Sequence, residues 1–379
     1  MADPYLFCEP FAGSAALTYY LLGAKPPISY LGAKTGYAPT IAACLGLRRR
    51  PPAGIVLGEV GPMAAVHAVL GGAAGSAAEV AGMALSARWA HKPGMPESGY
   101  AEQRVIDRRR PETSWLTAEK LSGDVAVLPH PRAAEVAAII RGWADEEPRL
   151  LWERLRREGW PSLMPVPGGR WLGPQSVVEV ARYVHASMLS YVKDGSMGSY
   201  SEAAGTGVKY TDKTGRTGFW RPTTPNVSAE RIAAIHTFPP LAVWQGTADA
   251  LALPDDLSGW TIYADPPYLG DGSRKITGYP HGTCSRETVL RLAREWSDRG
   301  AVVGISECVG LAGALGAGWH EVEITHGRRG QKRTFSVQNE EWLTMNTPPQ
   351  HAPHRGQVGL FVQTAALSFG GAAHSASSD

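Results

Sequence analysis

The strongest constraint on this chain comes from apolar runs too short to be helices, each halted by a turn or an acidic residue. "GIVLGEV" (54–60), "LAVWQGTADAL" (241–251), "WTIYADPPY" (260–268) and "AVVGISEC" (301–308) are of this kind. A strand buried on both faces reads so, because both of its side-chain rows meet helices. "PYLFCEPFA" (4–12) is a further run, and "SAALTYYLLG" behind it carries apolar residues at helical spacing as far as Gly23. "GPMAAVHAVL" and the amphipathic "SRETVLRLAREWSDRG" (285–300) supply more helices. Alternation of this type predicts an α/β fold built on a parallel sheet with crossover helices. Near the end, "HEVEITHGRRGQKRTFSVQ" and "EEWLTMNTPP" predict a closing hairpin split by a basic loop.

Residues 86–235 interrupt the alternation with many prolines and tryptophans and a Gly/Ser/Thr-rich tract at 193–222. We read this stretch as an inserted module with helices near 132–144, 149–158 and 175–192, followed by a long irregular loop. The α/β domain then comprises 1–85 and 236–368, and the small polar residues of 369–379 predict a disordered tail. A chain of 379 residues is long enough for this division. Its 44% hydrophobic and 19% charged residues are those of a soluble globular protein. Cys8, Cys44, Cys284 and Cys308 contain no C-x-x-C pair, so no zinc or other metal site and no disulfide framework is expected. No basic leader precedes an apolar run, and Glu59, His67 and Glu79 interrupt the Ala/Gly-rich segment 54–85. A cytoplasmic protein without a membrane span is the expectation, and nothing in the sequence speaks to oligomeric state.

The chemistry concentrates at the ends of the apolar runs. Gly13 in "EPFAGSAAL" (9–17) marks a tight turn into a helix, where backbone amides approach a ligand closely. This is not a G-x-G-x-x-G fingerprint, since positions 15 and 18 are alanine and threonine. Glu59 closes the second run, a place where an acid commonly receives ribose hydroxyls, and Asp249 follows the third. Taken singly, Glu59 is an edge carboxylate and Asp249 a turn or helix cap. The Asp265-Pro266-Pro267-Tyr268 sequence taken singly is strand punctuation, because proline cannot donate to a sheet. Punctuation does not explain why acids stand at the ends of successive strands.

"EPFAGSAAL", "YLGAKTGYAPTI" and "YADPPY" together resemble the motifs of the Dam-like adenine-N6 family of DNA methyltransferases. The resemblance implies a Rossmann-like methyltransferase sheet with helices on both faces, an inserted target-recognition module, S-adenosylmethionine as cofactor and double-stranded DNA as partner. It implies that Pro10, Phe11, Ala12 and Gly13 frame the methionine part of the cofactor. Glu59 would hold the ribose, Asp249 would accept from the adenine amino group, and Gly32 and Lys34 would lie against the carboxylate. Asp265, Pro266, Pro267 and Tyr268 match the catalytic tetrapeptide. Two features depart from the family: the Gly-x-Lys element follows the glycine turn instead of preceding it, and Ala15 stands where many relatives carry glycine.

The tetrapeptide suits amino methylation on physical grounds as well. The lone pair of an exocyclic amino nitrogen is delocalised into its ring. A carboxylate and a backbone carbonyl that accept its hydrogens favour a pyramidal nitrogen aimed at a methyl donor. Pro266 removes an amide and stiffens the backbone, which keeps the two acceptors convergent. The base must leave the duplex to arrive there, and stacking on Tyr268 is worth about 1–3 kcal/mol. Adenine N6 is the target we expect. Cytosine N4 stays open, and RNA or a protein glutamine is a lesser alternative because those relatives usually carry asparagine at the first position. A nucleic-acid-binding protein without transfer, and an enzyme using another donor on the same scaffold, are readings of different classes.

A net charge of +2 does not advertise nucleic acid, so local clusters must provide the contact. Lys209, Lys213, Arg216 and Arg221 alternate with Tyr210, Phe219 and Trp220, and Arg328, Arg329, Lys332 and Arg333 lie together with no acid among them. Phosphate contact with aromatic wedging is the expected use, and a solvated charged loop is the alternative. Replacing Arg328 and Arg329 together by alanine should weaken DNA binding and flatten its log–log salt dependence by roughly 2. An unchanged slope in a salt titration returns the loop to solvent.

Overall fold

The computed structural model describes residues 5–28, 34–47, 51–72, 75–86, 131–190, 199–211, 217–220, 222–235, 239–267, 284–325 and 340–350. Its strands are β1 (Leu6–Glu9), β2 (Gly54–Glu59), β3 (Arg170–Trp171), β4 (Val208–Thr211), β5 (Thr217–Trp220), β6 (Leu241–Gln245), β7 (Trp260–Ala264), β8 (Val302–Glu307), β9 (His320–Glu323) and β10 (Trp342–Met345). Its helices are α1 (Ala16–Leu21), α2 (Ala38–Cys44), α3 (Met63–Gly71), α4 (Ala77–Ser86), α5 (Pro131–Arg141), α6 (Pro148–Glu158), α7 (Val177–Leu189), α8 (Glu202–Thr206), α9 (Pro225–Ala233), α10 (Arg286–Asp298) and α11 (Ala312–Leu315).

One eight-stranded sheet runs β3-β6-β2-β1-β7-β8-β10-β9. The five strands from β6 to β8 are mutually parallel, while β3, and β10 against β8 and β9, pair antiparallel. The chain therefore starts at the centre with β1 and moves outward through β2 to β6. It then returns to the other side of β1 with β7. The fold is mixed α/β and compatible with a Rossmann-like arrangement, and the reversal between β1 and β7 is the topological switch point where such sheets form a crevice.

Alternating side chains divide the core between the faces. Cys8, Val56, Ile262 and Ile305 pack with Val80 of α4 and Val289, Leu292 and Trp296 of α10. On the opposite face, Phe7 and Tyr263 meet Leu17 of α1 and Ile41 of α2. Ile55, Leu57 and Val243 meet α3, α5, α7 and α9 in one buried cluster. Helices α5, α6, α7 and α9 of the region read as an insertion thus share their core with β2 and β6, and the same region adds β3 to the sheet edge.

The helices expected at 132–144, 149–158 and 175–192 correspond to α5, α6 and α7. Proline at the start of α6 and the Glu147 cap fix its beginning; the Glu147 carboxylate accepts from the amides of Arg149 and Leu150. The closing hairpin is β9–β10. The tract 193–222 differs from the irregular loop expected: it contains α8, capped by Ser201, and the β4–β5 ladder. Short Thr-, Tyr-, Phe- and Trp-bearing stretches between glycines suffice for such a hairpin once its strands can pair. Helices α2 and α4 are additions, rich in alanine and other small residues with few large ones to mark a period. No described helix is long and apolar enough to cross a membrane. The tail at 369–379 lies outside the described residues.

Gly58 governs how β1 ends. A Cβ there would stand 2.7 Å from the Pro10 carbonyl oxygen and 3.1 Å from its Cα, both backbone atoms. The Gly58 carbonyl accepts from Ala12 N at 2.8 Å, so the turn after β1 lies down on β2. Gly58→Ala should therefore lose about 1–3 kcal/mol in urea unfolding. Gly82→Ala, where a Cβ meets nothing within 4 Å on α4, should be neutral or gain up to about 1 kcal/mol.

Candidate functional site

The carboxyl ends of β1, β2 and β8 carry Glu9, Glu59 and Glu307, and Asp265 follows β7 directly. Because β10 runs antiparallel, Glu341 just before it joins the same edge. A short 3-10 turn, Lys34–Gly36, brings an ammonium to this acidic rim. Lys34 Nζ lies 3.0 Å from Asp265 Oδ1 and 3.3 Å from Glu341 Oε1. Lys34 and Glu341 are almost fully enclosed, whereas a fifth of the Asp265 side chain stays open. Burial pushes the Asp265 carboxyl above the usual aspartate range, and Lys34 opposes that push by charge and hydrogen bonding. Pro266 is buried and Pro267 half-buried beside it.

A second constellation holds the glycine turn. Gly13 takes φ 49°. Its amide donates to Glu59 Oε2 at 2.7 Å, and Gly61 N donates to Glu59 Oε1 at 2.9 Å. His67 Nε2 lies 2.9 Å from the Gly13 carbonyl, an acceptor only, so Nε2 carries the proton. Nδ1 is then the acceptor for the Tyr19 hydroxyl at 3.4 Å. Burial lowers the His67 pKa to about 4, which keeps the ring neutral. Pro10 and Ala12 are buried, and Phe11 is half-buried against the α4/α10 side of the core. Ala15 adopts φ 50°, ψ 44° at the entry to α1 with no exposed surface. Left-handed backbone costs an L-residue about 1–2 kcal/mol, so alanine here stores strain that glycine would not. Its methyl lies in the buried cluster with Tyr19 and Leu57.

Of the residues the sequence singles out, Pro10, Phe11, Ala12, Gly13, Lys34, Glu59, Asp265, Pro266 and Pro267 gather at this edge between β2 and β7. Asp249 is exposed on a short 3-10 turn after β6, and its charge reaches Cys284. Lys209 is exposed on β4. Gly32, Tyr268, Lys213, Arg216, Arg221, Arg328, Arg329, Lys332 and Arg333 lie outside the described residues. Among the described residues no cluster of three or more His, Cys, Asp or Glu is arranged to hold a metal ion. No family model matches the chain, and no curated protein matches it.

Glu9, His67, Gln245 and Glu341 belong to the site and were not singled out from sequence. Glu9 stands in the quoted "EPFAGSAAL", and its position at a strand end was the available signal. Its Oε2 accepts from Thr18 N at 3.2 Å and Thr18 Oγ1 at 2.6 Å. Burial, reinforced by the Asp265 charge, pushes its carboxyl up to about 8 against the lowering effect of those bonds.

This shift has a sign in stability. Folded Glu9 holds a proton between its ordinary pKa near 4.5 and about 8, where the unfolded chain has lost it, so stability falls as pH rises through that window. His67 and His185, both lowered to about 4, act only below their ordinary value of 6.5. Between pH 6.5 and 8 the wild-type unfolding free energy should thus drop by about 1.5 kcal/mol, and Glu9→Gln should flatten the drop. Equal slopes for both proteins would remove Glu9 as the source.

Proposed function

We propose that this chain is an S-adenosylmethionine-dependent DNA methyltransferase that acts on an exocyclic amino group of an extruded base, adenine N6 first. The observation that carries the reading is the position of Asp265 at the switch point, beside the Pro10–Gly13 turn, with Lys34 at its Oδ1. Ligands of open α/β sheets enter at that crevice. The residues present suit the donor, whose sulfonium and ammonium match an edge with more carboxylates than ammonium groups. Each Glu59 oxygen accepts one backbone amide and retains a lone pair for a ribose hydroxyl. In this reading Pro10, Phe11, Ala12 and Gly13 hold the methionine part and Asp249 meets the adenine.

The donor supplies an electrophilic methyl. Asp265 accepts one hydrogen of the target amino group and the Pro266 carbonyl accepts the other, turning the nitrogen lone pair toward the methyl. Lys34 opposes the burial that raises the Asp265 carboxyl and holds Oδ1, so Oδ2 is the oxygen left to the substrate. Tyr268 stacks on the base, and the basic residues of 209–221 and 328–333 hold the duplex.

Asp265→Asn keeps the shape of the side chain and removes the charge. It should lower the rate of methyl transfer to a DNA substrate by at least about a hundredfold, with donor affinity in calorimetry within roughly threefold of wild type. Parallel loss of transfer and binding would make Asp265 a structural or donor-holding residue. A mass gain other than one methyl in nucleosides from treated DNA would overturn the reaction itself.

A further inference from the structure

Gln245 ends β6 with no exposed surface, although its side chain is an amide. Its Nε2 donates to the carbonyls of Leu163 at 2.8 Å and Gly61 at 3.4 Å, and its Oε1 accepts from Arg170 Nη2 at 3.3 Å. Gly61 N is itself held by Glu59. One side chain therefore ties the turn after β2 to both ends of the loop 163–170 that precedes β3. The loop is anchored further at Ser162, whose amide and hydroxyl donate to Glu179 Oε2 at 2.9 and 2.8 Å. Gly169, at φ 74°, presses on β6 so closely that a Cβ would meet the Trp244 ring at 2.5 Å and the Gln245 carbonyl oxygen at 3.0 Å. Pro165 and Pro167 stiffen what lies between the anchors.

This fixed loop leaves apolar side chains bare: Met164 is 45% and Val166 38% exposed, beside a fully buried Leu163. Trp160 stands at its start, edge-on to Tyr183 at 5.3 Å, and the Glu59 charge is felt at Tyr183. The loop that carries them is tied to the two strand ends, to Gln245 directly and to Glu59 through Gly61, where a nucleoside lies on a sheet of this kind. A preorganised loop can cover an aromatic base without paying to become ordered.

We propose that the loop 161–170 forms the wall against which the nucleoside end of the methyl donor packs, with Met164 touching the base and Gln245 as the positioning residue that sets the gap. The inference rests on the function proposed above. It gives the region between α4 and β6 a part in donor binding, beyond target recognition.

Calorimetry with S-adenosylhomocysteine and with 5′-methylthioadenosine, which lacks the amino-acid end, tests it on the full chain. Met164→Ser changes an exposed side chain, so folding is retained. It should weaken both ligands by the same factor of about ten. Gln245→Leu should do likewise, and far-ultraviolet circular dichroism checks that it folds. Unchanged affinities for both ligands in Met164→Ser would overturn the wall, and weakened DNA binding alongside them would assign the loop to nucleic acid instead. Loss for S-adenosylhomocysteine alone would also overturn it, by moving the effect to the amino-acid end. A wild-type chain that binds neither ligand would overturn the function proposed above and this inference with it.

Discussion

The Lys34 ammonium makes the acidic edge of the sheet possible. Parallel strands ending side by side bring Glu9, Glu59, Asp265 and Glu307 to one rim, and the antiparallel β10 adds Glu341. Enclosed carboxylates repel one another, and each resists ionisation where water is scarce. The structure meets this in different ways at different positions. Lys34 serves Asp265 and Glu341 together. Glu59 spreads its charge over the amides of Gly13 and Gly61. Glu9 accepts from the amide and hydroxyl of Thr18 and is lowered as well by a backbone bond at Leu17, yet burial still pushes its carboxyl up to about 8. Of the two carboxylates that Lys34 holds, Asp265 is the more open, with a fifth of its side chain exposed.

The turn after β1 shows how little of such a site is made by the residues that would touch a ligand. Gly13 is fixed from both sides, its amide by Glu59 and its carbonyl by His67. His67 donates to Gly13 in either protonation state, but it can accept the Tyr19 hydroxyl at Nδ1 only while neutral, which its burial within α3 favours. Gly58 has no side chain, so Pro10 can settle on β2. The strain in Ala15 is tolerated because these contacts over-determine the turn. A substitution in any of these supporting residues would reach the crevice through backbone position alone.

What could be read from the sequence follows from periodicity and from strand ends. The continuous apolar runs gave the parallel strands, and the acids after them gave Glu59 and Asp265, because a chain leaving a buried strand must enter the crevice. The Gly-x-Lys element looked displaced in chain order, yet Lys34 arrives beside Asp265, some 230 residues later in the chain. Order along the chain is a poor guide to place once a crossover can return to the same edge. Glu341 and Gln245 were illegible for a related reason: a polar residue at a strand terminus reads as solvated until its neighbours are known. His67 looked like an interruption in an apolar segment, when it donates to the Gly13 carbonyl of the turn after β1. The alanine-rich α2 and α4 escaped because small side chains carry almost no periodic signal.

The division between α/β domain and inserted region also changes meaning once packing is known. Leu151, Leu155, Val180 and Val184 from α6 and α7 lie in the same buried cluster as Ile55, Leu57 and Val243 of the sheet. Two modules with separate cores can move apart and unfold apart, whereas a shared core makes the two parts one cooperative unit. Arg170 carries the coupling to the edge of the sheet, pairing with Gln245 across the β3–β6 ladder while donating to Ser162. Through Gln245 this bonding continues to Gly61. Through Gly61 it reaches Glu59, and through Glu59 the turn at Gly13. The sheet's crevice and the helices beside it thus share one hydrogen-bonded path.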